Sequence, residues 1–188
     1  MKEQRRHQRI RFNSQLLVRI GQFGSGGVGE LENLSVGGLM LRTDMPLRVG
    51  DELGCEFSVC DSWMIDLSAQ VVSRVGELLS ARFHSGPLTE RVVHKSIEVA
   101  LAAGQASKLS VNEVQGRKIL RVAGGFCEGL RNDFLYSLTR MGVDEIDLSE
   151  VTGMDAVGIE LLRLAVDKHK VDVGAMSACA CAVVGSYS

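Results

Sequence analysis

Between Ser14 and Gly86 the apolar residues fall in short runs with strand character: Leu16 to Ile20, Gly38 to Leu41, Leu53 to Val59, Ile65 to Val75 and Leu78 to Phe83. Gly21, Gly24, Gly26, Gly27, Gly29, Gly37, Gly50, Gly54 and Gly76 punctuate them. Short strands joined by glycine-rich turns, with no helical spacing between them, predict an all-β antiparallel barrel or sandwich. The period changes at Leu88, where Leu88, Val92, Val93, Ile97 and Leu101 recur at helical spacing. Glu90, Arg91, Lys95 and Glu98 occupy the other faces, so an amphipathic helix is predicted to close the barrel or lead out of it.

The second half alternates instead. Its pattern predicts a strand pair over 109–122, a helix over 128–141 with Leu130, Phe134, Leu138 and Met141 as its apolar stripe, and a strand over 145–148. A helix over 156–169 and a strand over 171–176 follow, which together make a small α/β layer. Residues 177–188 are small and apolar without a period, and no element is predicted there. The divisions expected are a basic arm (1–12), a barrel plus helix (13–103), a linker (104–108) and an α/β domain (109–188).

Bulk composition adds little: among 188 residues, 45% hydrophobic, 23% charged and a net charge of −2 are ordinary for a globular protein. Distribution matters more. Lys2, Arg5, Arg6, Arg9, Arg11 and Arg19 stand against Glu3 alone in the first twenty residues, a local field that attracts anions. No apolar run is long enough to cross a membrane and the basic start lacks the apolar segment of a secretion signal, so a cytoplasmic location is expected. Cys55, Cys60, Cys127, Cys179 and Cys181 lack paired Cys-x-x-Cys spacing, which predicts free thiols and no metal site. In an extended segment Cys179 and Cys181 face one side, and they read as two small buried thiols.

Two motifs carry the candidate chemistry. Arg5-Arg6-His7-Gln8-Arg9 contains Arg-x-x-x-Arg, and Asn33-Leu34-Ser35-Val36-Gly37-Gly38 contains Asn-x-Ser-x-x-Gly. This pair, in this order and on a β background, resembles the PilZ family of cyclic di-GMP receptors over roughly residues 3–100. The resemblance implies a PilZ-type barrel with a C-terminal helix and a cyclic di-GMP site formed by Arg5, Arg6, Arg9, Asn33, Ser35, Gly37 and Gly38. It assigns Arg5 and Arg9 to phosphate and guanine contacts. The chemistry agrees, because a guanidinium makes two-pronged bonds to phosphate or to guanine O6 and N7 and stacks on a purine face. In a strand Asn33 and Ser35 share a face, and the glycines leave room for a base. Arg6, His7 and Arg11 also read as solvated arm residues. The family often has Asp where this chain has Asn33, which keeps an acceptor and loses a charge. Gln4 precedes Arg5 where some members carry a further arginine and take a stacked ligand pair, so one ligand per site is expected.

Gly24-Ser25-Gly26-Gly27-Val28-Gly29 matches Gly-x-Gly-x-x-Gly, but strand-like sequence rather than a helix follows, so it reads as a flexible hairpin turn and not a dinucleotide loop. In the second half, the run from Glu145 to Ile159 resembles the central strand, loop and helix start of STAS domains, the fold of anti-sigma factor antagonists. Asp155 suits an N-cap, while Leu161, Leu162, Ala165 and Val166 are expected to face the sheet. The serine phosphorylated in partner-switching members falls at Ala156, which cannot take a phosphate, and the match is short at its C-terminal end. The domain therefore reads as a binding surface without that switch. No catalytic constellation has a motif behind it: His84, His94 and His169 read as strand-end or helix-surface residues, and no enzyme activity is expected. The function expected is a cyclic di-GMP receptor that signals to a protein partner, with no cofactor and homo-oligomers compatible with the sequence. The alternative is an interaction or assembly module that binds no nucleotide and works through the STAS-like domain. Nucleic-acid binding is disfavoured, since no aromatic residues interleave with the arginines of a short arm.

Overall fold

The structure is a computed structural model that describes residues 8–22, 24–59, 63–84 and 86–186. The chain divides into two compact units between Val99 and Ala100.

The first unit is a closed antiparallel barrel. After the two-residue strand β1 (Arg11–Phe12) come β2 (Leu17–Gln22), β3 (Ser25–Ser35), β4 (Gly38–Arg42), β5 (Glu52–Phe57), β6 (Ile65–Val75) and β7 (Leu78–Phe83), and the barrel closes in the order β2-β3-β4-β7-β6-β5. Alternation decides which side chains fill it. Val18 and Ile20, Leu39 and Leu41, Leu53, Cys55 and Phe57, Leu67, Ala69 and Val71, and Leu79, Ala81 and Phe83 are buried, while the residues between them on each strand are more exposed. Closure pairs every strand of the barrel on both edges, which removes the exposed edge that invites aggregation. Arg74 secures the connection between β4 and β5. Its guanidinium donates to the carbonyls of Met45 and Leu47, the latter at 3.0 Å, and its Nε donates to Gly76 O at 3.0 Å.

The glycine run differs from expectation. Only Gly24, at φ +83°, turns the chain; Gly26, Gly27 and Gly29 lie within β3. A Cβ at Gly27 would stand 2.6 Å from the Met45 sulfur, which a flexible side chain can move away, whereas one at Gly29 would stand 3.0 Å from Ile20 Cδ1 and 3.3 Å from Arg42 O, so close packing favours glycine at Gly29.

Helix α1 (Pro87–Ala102) follows the barrel. Its buried residues are Val93, Ser96 and Ala100, while Leu88 and Val92, expected on the apolar stripe, are 77% and 46% exposed. His94 lies on its surface beside Glu98.

In the second unit, β8 (Ala106–Val114), β9 (Arg117–Phe126), β10 (Glu145–Met154) and β11 (Asp172–Met176) stand side by side in that order. The pair β8 and β9 is antiparallel, and β10 is parallel to both its neighbours. Residues expected to be linker, 104–108, include the start of β8, because Ser107 and Lys108 pair with Gly124 and Ala123. Gln115 and Gly116, both at positive φ, form the two-residue turn that the right-handed twist of a hairpin favours. The helix expected over 128–141 is a continuous run of three geometries: a 3₁₀ turn (Glu128–Leu130), α2 (Arg131–Tyr136) and a wider π-type turn (Ser137–Met141). Helices α3 (Ala156–Asp167) and α4 (Ala178–Ser186) complete the layer. The core joins Leu120, Val122 and Phe126 of β9 with Ile146, Leu148 and Val151 of β10, Phe134 of α2, and Leu161, Leu162 and Ala165 of α3. Val166, expected to face the sheet, is 38% exposed. The cysteines expected to be buried in an extended segment sit on α4, where Cys179 is half-buried and Cys181 exposed.

Candidate ligand-binding site

The Asn-x-Ser-x-x-Gly segment forms the hairpin between β3 and β4, with Ser35 paired to Gly38 across a two-residue turn at Val36 and Gly37. Strict alternation from Leu31, which points into the barrel, would send Asn33 inward as well. A β-bulge prevents this. Leu31 pairs with Leu41 but Asn33 pairs with Met40, so Glu32 is an extra residue in β3. The bulge returns Leu34 to the interior beside Leu39 and leaves Asn33 and Ser35 together on the opposite face. Glu32 itself accepts hydrogen bonds from Arg42 Nε at 3.0 Å and Nη2 at 2.7 Å.

The arm reaches this hairpin through its backbone. Ile10 N donates to Leu34 O at 2.8 Å and Leu34 N donates to Ile10 O at 3.1 Å, an antiparallel bridge on the edge of β3 that β2 leaves unpaired. Ile10 is 1% exposed, so the arm is anchored by a buried side chain next to Leu34. Continued one residue each way, the register sets Arg9 level with Ser35 and Arg11 level with Asn33. Arg9 is exposed and Arg11 half-buried. Arg5 and Arg6, assigned to the site by sequence, lie outside the described residues.

Asn33 and Ser35 are 5% and 7% exposed. Ser35 Oγ donates to Gly38 O at 3.1 Å and so ties the turn. Asn33 Oδ1 is buried without a hydrogen-bond partner among the described residues. A buried polar atom left unpaired costs about 1–3 kcal/mol, which is tolerated where a site has another use for it. Gly38 is required by the barrel itself: a Cβ there would stand 2.4 Å from Ala81 O. Gly37 accepts a backbone hydrogen bond from Phe83 N at 3.1 Å. The hairpin therefore brings Asn33, Ser35, Gly37 and Gly38 together beside Arg9.

Residues 3–98, just over half of the chain, match the PilZ domain model. The chain belongs to the PilZ family. PilZ domains are receptors for cyclic di-GMP rather than enzymes, and that dinucleotide is their ligand. Solved PilZ structures similar to this chain include the PilZ domain of YcgR from Escherichia coli with cyclic di-GMP, at 22% identity over 52% of this chain and 91% of that one, with a TM-score of 0.45. Another is the cyclic di-GMP complex of MrkH from K. pneumonia, at 19% identity over 53% of this chain and 52% of that one, again at 0.45. A third, YcgR in complex with cyclic di-GMP, is 24% identical over 51% of this chain and 45% of that chain, also at 0.45. This chain thus spans about half the length of the latter two. No curated protein matches it.

Sequence reading placed Arg11 among the solvated arm residues, whereas the Ile10 bridge sets it level with Asn33. Register carries that information, and no spacing within the arm reveals it.

Among the second unit's expected features, Asp155 caps α3, its Oδ1 accepting from Gly158 N at 2.8 Å. Asp147 is 8% exposed and bound to Arg121 Nε at 2.9 Å. Burial opposes its ionisation, but hydrogen bonds from Ser149 and the Arg121 charge outweigh it and hold the carboxyl below its usual range. His84 pairs with Glu52 at 2.6 Å on the barrel surface. Among the described residues, no three His, Cys, Asp or Glu side chains gather as metal ligands, and no helix is long and apolar enough to cross a membrane.

Proposed function

We propose that this chain is a cytoplasmic cyclic di-GMP receptor in which Arg5, Arg6 and Arg9 of the arm close on a dinucleotide held by Asn33, Ser35, Gly37 and Gly38. The observation that carries the reading is the buried, unpartnered Oδ1 of Asn33 at the place where Ile10 anchors the arm. A guanine edge offers N1–H and N2–H donors that suit such an acceptor. Ser35 retains lone pairs after donating to Gly38, and the arm arginines supply two-pronged donors for phosphate or for guanine O6 and N7. One dinucleotide occupies the site.

Ligand binding at the arm and hairpin changes the surface offered to a protein partner. The second unit is a STAS-like binding module: the Asp155 cap of α3 falls where STAS domains begin that helix, and Ala156 leaves no hydroxyl for a phosphorylation switch. One observation favours the alternative of an assembly module that binds no nucleotide. Ser35 and Gly38 each have a role in the barrel, so two of the motif's three fixed positions are explained without a ligand.

Isothermal titration with cyclic di-GMP, with GTP as control, separates the two. Binding at micromolar Kd or tighter, lost in an Arg5→Ala, Arg9→Ala double variant, is expected of the receptor. Each single arginine variant should weaken binding roughly five- to 150-fold, at about 1–3 kcal/mol per two-pronged contact. Absence of binding by the unaltered chain leaves the assembly module.

A further inference from the structure

The barrel's cross-strand register continues past the hairpin. Gly38 pairs with Ser35 on one side and with Arg82 of β7 on the other, so Ser35, Gly38 and Arg82 form one row across three strands, facing away from the apolar interior. Arg9 extends the row on the side of the arm. Neighbours of Arg82 along β7, Ala81 and Phe83, are 3% and 5% exposed, whereas Arg82 itself is exposed. Its neighbour across β6 is Gln70, a neutral group. Among the described residues Arg82 makes no ion pair and no side-chain hydrogen bond, unlike Arg19, Arg42 and Arg74 of the same barrel, which bind Glu56, Glu32 and backbone carbonyls. Gly38 puts no side chain between the hairpin and this guanidinium. The two strands are so close there that a Cβ on Gly38 would lie 3.3 Å from Arg82 Cα.

We infer that Arg82 is a further ligand-binding residue, a guanidinium that takes a phosphate or the O6 and N7 edge of a guanine on the side of the hairpin away from the arm. The inference rests on the receptor reading above and extends it. Arg9 and Arg82 are three strand spacings apart, about 14 Å at the backbone. Two side chains of arginine length converging from those positions span a cyclic dinucleotide lying over Gly38. Cyclic di-GMP carries two phosphates and two guanines, more acceptor edges than the arm alone can hold two-pronged. Lysine does not serve this role, because a single ammonium cannot engage two acceptors in the fixed fork of a guanidinium.

Titration calorimetry of Arg82→Ala, Arg82→Lys and the Arg5→Ala, Arg9→Ala double variant with cyclic di-GMP tests the inference. Arg82→Ala should weaken binding roughly five- to 150-fold without moving the thermal unfolding of the free protein, and Arg82→Lys should restore only part of the loss. A Kd within twofold of the unaltered protein for Arg82→Ala, while the double arm variant loses binding, overturns the role of Arg82 and leaves the receptor intact. If the unaltered protein binds no cyclic di-GMP, both readings fall together.

Discussion

Asn33→Leu is predicted to stabilise the free protein while weakening its ligand. Asparagine and leucine share a branched skeleton of equal heavy-atom number, so the exchange replaces the buried, unpaired Oδ1, and Nδ2 beside it, with methyl groups. Removing an unsatisfied buried acceptor is worth about 1–3 kcal/mol. For a unit of this size each kcal/mol moves the unfolding temperature by roughly 4–8 °C, so the free variant should melt at least about 4 °C above the unaltered protein. Cyclic di-GMP reverses the advantage. At one hundred times Kd the ligand stabilises the native protein by about 2.7 kcal/mol, a gain the variant forfeits in proportion to its lost affinity. Circular-dichroism melts with and without ligand, beside calorimetric titration, read both effects. Asn33→Ala separates packing from polarity, since it removes the carbonyl but leaves a gap and should fall below Asn33→Leu. A free Asn33→Leu protein that melts below the unaltered one, or that binds cyclic di-GMP equally well, refutes the reasoning.

Three further outcomes follow from the geometry. Gly158→Ala should destabilise by about 1–3 kcal/mol in urea unfolding although alanine is the better helix former by about 1 kcal/mol, because its Cβ would stand 2.2 Å from Phe126 O. Asp147, whose folded carboxyl titrates below its usual range, stabilises the protein fully above about pH 4, where the unfolded group is ionised, and loses that contribution as pH falls through the folded value. The stability gap between the protein and Asp147→Asn should therefore be largest near pH 7 and close toward pH 2, as urea unfolding at each pH will read. Burial, with the nearby Asp66 charge, pushes the Cys55 thiol up to about 12, so alkylation at pH 8 followed by peptide mapping should label exposed Cys181 promptly and Cys55 only on unfolding.

Alternation of side chains settled most of the barrel in advance, since a strand with one face in a closed core needs apolar residues at every second position. The same logic failed at β3, where Gly26, Gly27 and Gly29 suggest a turn. Glycine carries no side chain to alternate, and what packs against Gly27 and Gly29, Met45 of the β4–β5 connection and Ile20 of β2, belongs to other elements. Helix α4 was invisible for a related reason: Ala178 to Ser186 is uniformly small and apolar, so no face distinguishes itself. The linker expected at 104–108 proved to contain part of β8, as pairing with Gly124 overrides weak local preference. In the candidate site, the sequence by itself supplied the chemistry, arginines in the arm and Asn33, Ser35, Gly37 and Gly38 in a hairpin. Tertiary structure decided the faces and neighbours: one extra residue at Glu32 turns Asn33 away from the interior, the Ile10 bridge brings Arg11 level with it, and strand β7 sets Arg82 beside Gly38. Those are pairings between segments up to 44 residues apart, as from Gly38 to Arg82, and no local spacing encodes them because register is fixed only when the whole barrel closes.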